Sequence, residues 1–149
     1  MMPTEELHFR TVLRAAQDQA DAMLACGGAP RPTALLMRMA EGAQIEEAAL
    51  VDLSDYDEAT LRDFVRTNAG RPDVHAIALS QMVSPPRRVE ASDPAGTERP
   101  ATALVIHLIA HQRETSVTND IDPVTGRLRR GRFDPRRQSR VFLDPLTDV

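Results

Sequence analysis

The sequence predicts an α+β fold: a mostly antiparallel sheet of about five strands with two helices, in the order α-β-β-α-β-β-β. Two stretches repeat apolar residues at three- and four-residue spacing, which is typical of amphipathic helices. Five other stretches alternate apolar and polar residues or are rich in Val and Ile, as strands are. This order favours helices packed on one face of the sheet.

The first helix is predicted from Glu5 to Ala25. Thr4 is a plausible N-cap, and the acidic Glu5 and Glu6 suit the positive end of a helix. Gly27 and Gly28 follow the last apolar position and end the helix. The apolar stripe consists of Phe9, Val12, Leu13, Ala16, Ala20, Met23 and Leu24.

The next two elements are predicted to be a β-hairpin. Residues 33–41 and 44–53 alternate in character, and Gly42 between them marks a turn. Part of the second stretch, residues 46–49, is also compatible with a helix.

A second helix and a third strand follow. Asp55 and Glu58 have the spacing of a capping box, so they predict the start of the helix. This helix is expected to end near residues 68–70. Residues 74–84 then predict a strand, which two prolines terminate.

The longest apolar run, residues 101–118, predicts the fourth strand. Residues 122–126 have turn composition and lead to a fifth, Arg-rich strand that extends to Phe133. We expect a single domain over residues 1–133, with a mobile loop at 87–100 and a C-terminal tail at 134–149.

The composition limits the classes of protein. A single cysteine among 149 residues excludes an internal disulfide framework and indicates a reducing compartment. The N-terminus lacks the apolar segment of a signal peptide, and no apolar run reaches 18 residues. We therefore expect a soluble cytoplasmic protein without a membrane partner.

Three histidines are candidates for a pocket: His75, His107 and His111. His107 and His111 are four residues apart, which brings two side chains to one metal ion on a helix. On a strand they are separated by roughly 13 Å, so we expect no metal site. If the larger apolar sets of strands three and four share the core, His75 points inward and the other two histidines point away.

The other side of the fourth strand carries Val105 and Ile109, which we expect to share a face with Ala76, Ala78 and Met82. Either the first helix or a second copy of the chain is expected to cover this face. The tail adds a small apolar group around Phe142. A homodimer interface is therefore predicted at Val105, Ile109 and Phe142.

Charge is unevenly distributed along the chain. Residues 1–60 carry 4 Arg and 11 acidic residues, whereas residues 127–140 carry 7 Arg and one Asp. Arg clusters bind phosphates, but they also protect the edge of a sheet or neutralise acidic segments of the same protein. The candidate anion-binding residues are Arg127, Arg129, Arg130, Arg132, Arg136 and Arg137.

No nucleophile, metal or cofactor motif is present, so the sequence indicates no catalytic residue and no cofactor. The leading hypothesis is a non-enzymatic binding or scaffold protein that acts as a homo-oligomer. One alternative is a protein that binds nucleic acid, another polyanion or an acidic partner through residues 127–140. The other alternative is a small enzyme with a histidine-containing pocket.

Overall fold

The computed structural model describes residues 4–27, 31–40, 44–83, 103–122, 124–138 and 142. Two helices are present, α1 (Thr4–Ala25) and α2 (Glu58–Ala69). The strands are β1 (Thr33–Ala40), β2 (Gln44–Asp52), β3 (Ala76–Val83), β4 (Ala103–Ala110), β5 (Arg113–Ile121) and β6 (Leu128–Arg129). The predicted loop at 87–100 and most of the tail lie outside the described residues.

All six strands form one antiparallel sheet with the order β2-β1-β3-β4-β5-β6. The predicted α+β class and element order are confirmed, with six strands instead of about five. The extra strand arises because the apolar run at residues 101–118 folds into two strands and not into one. No described helix is long and apolar enough to cross a membrane.

A two-residue turn at His111 and Gln112 divides that run. Ala110 pairs with Arg113, so only these two residues connect β4 to β5. Both have positive φ angles, 52° and 59°. Turns of this kind match the twist of a hairpin but usually contain Asn or Gly. His111 and Gln112 are therefore not an ordinary turn signal.

The two helices pack on opposite faces of the sheet, so the prediction that they share one face is wrong. Helix α1 packs on the face that carries Met37, Leu104, Ile106 and Leu108. We call this the α1 face. Helix α2 packs on the other face, which we call the α2 face. The buried residues of that second cluster are Ala34, Leu53, Val65, Ile77, Leu79, Ile109 and Phe142.

The register of β3 against β4 also corrects the predicted side-chain faces. Ile77 pairs with Ile109, and both belong to the α2 face. Ala78 pairs with Leu108, and both belong to the α1 face. The two larger apolar sets therefore lie on opposite faces. Each set faces its own helix. A sheet that is covered on both faces is apolar on both faces.

Helix α2 begins two residues later than the capping-box spacing suggested. Its N-cap is Asp57, whose side chain accepts a hydrogen bond from the backbone N–H of Thr60 at 2.7 Å. This bond satisfies one of the free N–H groups at the start of the helix. The backbone N–H of Gly70 closes the helix at the predicted position.

A buried polar cluster fixes the chain after β6 to α1 and β5. The Oδ1 atom of Asn119 accepts hydrogen bonds from the side chain of Gln17 and from the backbone N–H of Gly131, both at 2.8 Å. Its Nδ2 donates to the carbonyl of Leu104 at 3.0 Å. Gly131 thus bonds to a side chain and not to a strand, which is why β6 ends at Arg129 and not near Phe133.

Close packing at Gly131 leads to a stability prediction. A Cβ atom at this position would collide with the carbonyl oxygen of Thr118 and lie 2.6 Å from Cγ1 of Val117. We expect Gly131→Ala to lower the free energy of unfolding by about 1–3 kcal/mol, because backbone must move to relieve the collision. Urea denaturation measures this difference.

Gly70→Ala is the matched control, since its Cβ would meet only ordinary contacts at 3.6 Å or more. A Gly131→Ala variant that unfolds at the same urea concentration as Gly70→Ala would contradict the packing described here.

Candidate functional site

Strand β2 forms one edge of the sheet, and within the described ranges no strand pairs with its outer side. Seven of its nine residues are exposed. Its centre, residues 48–51, carries no charge, and Leu50 keeps 51% of its surface exposed. The backbone groups on such an edge are available to pair with another strand.

Charged residues lie at both ends of this edge. Near its start, Arg38 forms ion pairs with Glu46 at 2.8 Å and with Glu47 at 3.5 Å. Near its end, Arg31 lies 3.4 Å from Asp52. The uncharged centre of β2 is therefore flanked at both ends by ion pairs between arginine and acidic side chains.

The Arg-rich segment is partly neutralised within the protein. Arg130 pairs with Asp18 and Asp21 of α1, and these carboxylates raise the pKa of the guanidinium. Arg129 pairs with Asp122 at 3.2 Å. The four other predicted anion-binding residues are exposed and have no ion pair with any residue in the described ranges. They are Arg127, Arg132, Arg136 and Arg137.

Two of the predicted pocket histidines lie at one end of the sheet together with a histidine that the sequence analysis did not select. Nδ1 of His8 in α1 is 2.7 Å from Nε2 of His111, and the two rings stack. His75 precedes β3 at the same end, and its Nδ1 accepts the backbone N–H of Met39 at 2.8 Å. His75 and His111 line one cavity of about 530 Å³.

The third predicted histidine, His107, lies on the α2 face, apart from this group. It is only 9% exposed, and its Nε2 is 2.8 Å from the carboxylate of Glu114, which is itself buried. Glu114 also accepts the backbone N–H of Phe142 at 3.0 Å. No local pattern predicts this pairing, because Glu114 and His107 belong to two strands that the sequence predicts as one.

Phe142 connects the C-terminal segment to this pair. Its ring packs edge-on against His107 with 5.1 Å between centroids, and its carbonyl accepts a hydrogen bond from Arg66 at 3.1 Å. Two of the three residues predicted for a dimer interface, Ile109 and Phe142, are thus buried within one protomer. Val105, the third, is half-buried and lines a second cavity.

This second cavity has a volume of about 250 Å³ and lies beside His107. Its wall is mostly apolar and includes Leu79, Val105, Tyr56 and Phe142. Two of the five aromatic residues of the chain therefore line a single small cavity. Apolar cavities with a few polar groups are typical of small-molecule sites.

Over the part of the chain that the structure describes, no three His, Cys, Asp or Glu side chains are placed to hold a metal ion. Comparisons of the chain with protein-family models, with curated proteins and with solved structures give no match.

The contact between His8 and His111 leads to a pH prediction. Partial burial, followed by repulsion from His111 and His75, lowers the pKa of His8 below its ordinary value of 6.5, while Glu5 acts in the opposite direction. As the pH falls through this value, the unfolded chain takes up a proton at His8 that the folded chain resists. The free energy of unfolding should therefore decrease.

Urea denaturation at about pH 8 and at about pH 5.5 measures this decrease. Both pH values lie above the ordinary pKa of Asp and Glu side chains, so most carboxylates stay ionised at both. His8→Gln should show a smaller decrease than the unmodified chain. His8 faces Glu5, His75, His111 and the nearby Arg113, which donates to Glu5 at 2.9 Å. An equal decrease in both proteins would show that His8 is not the titrating group.

Proposed function

We propose that this chain is a non-enzymatic binding protein that acts as a homodimer, in which the β2 strands of two copies pair edge to edge. The observation that carries the proposal is the exposed, uncharged centre of β2 at a free sheet edge. Antiparallel pairing of two such edges satisfies their outward backbone groups and extends the sheet across both copies.

The uncharged centre of β2 suits antiparallel pairing of the two strands. Pairing centred on residues 48–51 places the uncharged segments of both copies opposite each other. Glu47 of each copy then lies opposite Asp52 of the other. Each of these carboxylates has an arginine partner within its own copy, Arg38 for Glu47 and Arg31 for Asp52.

The proposed interface differs from the one predicted at Val105, Ile109 and Phe142. Ile109 and Phe142 contribute to the core of a single protomer, so their use in a dimer requires loss of that core. Leu50 requires no such rearrangement, because half of its surface is already exposed.

The hydrogen bonds of two histidines also support a role other than catalysis. His75 uses Nδ1 to cap the backbone N–H of Met39. His107 uses Nε2 to hold the buried carboxylate of Glu114. Each of these bonds satisfies a group of the fold itself.

Light scattering and native mass spectrometry at micromolar concentration test the dimer. We expect a mass of twice 16.4 kDa for the unmodified chain. Leu50→Lys should convert the protein to a folded monomer, because a charge at the centre of an edge strand opposes strand addition. Circular dichroism verifies that the variant is folded.

Val124→Lys is the matched control, since Val124 is 89% exposed but lies in the turn before β6, away from β2. This variant should remain dimeric. A monomeric unmodified chain would overturn the proposed homodimer, and a dimeric Leu50→Lys variant would overturn its interface.

A further inference from the structure

We infer that the 250 Å³ cavity beside His107 binds a small aromatic molecule that carries a hydroxyl group, such as a phenol. This inference goes beyond the homodimer and does not depend on it, because the residues that line the cavity lie outside β2. Three features of the cavity carry the inference: its size, its aromatic wall and the hydrogen bonds of the two ring nitrogens of His107.

The size of the cavity suits a single ring. A dry cavity of about 150 Å³ is sufficient to bind benzene. The cavity described here is larger, with about 250 Å³, so it accommodates a ring with a substituent.

The wall of the cavity favours an aromatic ring. Tyr56 and Phe142 both line it, and Leu79 and Val105 add aliphatic surface. Aromatic pairs prefer edge-on or offset contacts, as His107 and Phe142 already show with an interplanar angle of 74°. A bound ring gains the same kind of contact from both side chains.

The hydroxyl group is inferred from the hydrogen bonds of His107. The Nε2 atom of His107 is occupied by the carboxylate of Glu114 at 2.8 Å. The other nitrogen, Nδ1, forms no hydrogen bond with any residue in the described ranges. Because His107 is nine-tenths buried and lines the cavity, a ligand hydroxyl, which both donates and accepts, is a suitable partner for this nitrogen.

The mostly apolar wall of the cavity disfavours a negatively charged ligand. Moving an ionised carboxylate from water into apolar surroundings is costly unless its charge is paired. The cavity should therefore discriminate against an aromatic carboxylate, although such a molecule has a similar size and shape.

NMR titration of the isotope-labelled full chain with phenol, toluene and benzoate tests these features. Phenol should shift the amide signals of residues around the cavity, with a dissociation constant in the millimolar range or below. Toluene should bind about tenfold more weakly, which corresponds to the loss of one net hydrogen bond. The hydrophobic effect alone would give the opposite order, because toluene is the less polar molecule. Benzoate should bind at least about tenfold more weakly than phenol, because its carboxylate would lose water in a mostly apolar cavity.

Two variants separate the contributions of the cavity. Val105→Trp places a large side chain in the wall of the cavity, so it should abolish binding of both phenol and toluene. His107→Gln should remove the preference for phenol while toluene still binds. Val124→Trp adds the same ring at an exposed position and should change neither.

The preference of the unmodified chain for phenol over toluene requires no variant, so it remains decisive if His107→Gln fails to fold. Toluene binding as tightly as phenol would overturn the assigned hydroxyl, and tighter binding of benzoate would overturn the assignment of an uncharged ligand. Absence of phenol-induced shifts around the cavity, or unchanged binding in Val105→Trp, would overturn the site.

Discussion

The register between β3 and β4 determines which side chains meet on each face of the sheet. Ala76 pairs with Ala110, so the odd-numbered residues of both strands face α2 and the even-numbered residues face α1. A shift by one residue would exchange the faces of one strand relative to the other. The two cores, the position of His107 and the cavity beside it all depend on this one alignment.

Strand β5 then secures both faces with buried polar groups. Asn119 on the α1 face binds Gln17 of α1 and the backbone of Gly131, and Glu114 on the α2 face binds His107 and the backbone of Phe142. Each group connects segments that are distant in sequence through hydrogen bonds that water cannot replace. Buried polar groups with several partners specify one arrangement more strongly than apolar contacts do. The packing of α1 and the position of Phe142 both follow from these bonds.

Local patterns in the sequence were sufficient for the fold class, because each element has its own periodicity and its own end signals. They failed where contacts between separate elements decide the outcome. His111 and Gln112 form a turn without turn residues, since the pairing of β4 with β5 outweighs their poor preference for positive φ. The joining of His107 to Glu114 could not be predicted once these residues were assigned to one strand. The contact between His8 and His111 joins residues 103 positions apart, which no local pattern reveals.

The same limit applies to charge. The Arg-rich segment after the turn at 122–126 resembles a surface for polyanions when it is considered alone. In the folded chain, α1 brings Asp18 and Asp21 to Arg130, so part of this charge neutralises the acidic N-terminal half. Exposed ion pairs of this kind contribute little stability individually. Their effect is on specificity, because they reduce the positive field that a polyanion would meet and help to orient α1 across the sheet. The uncharged edge at β2, which no described group covers, is consequently a stronger indication of a binding surface than the arginines are.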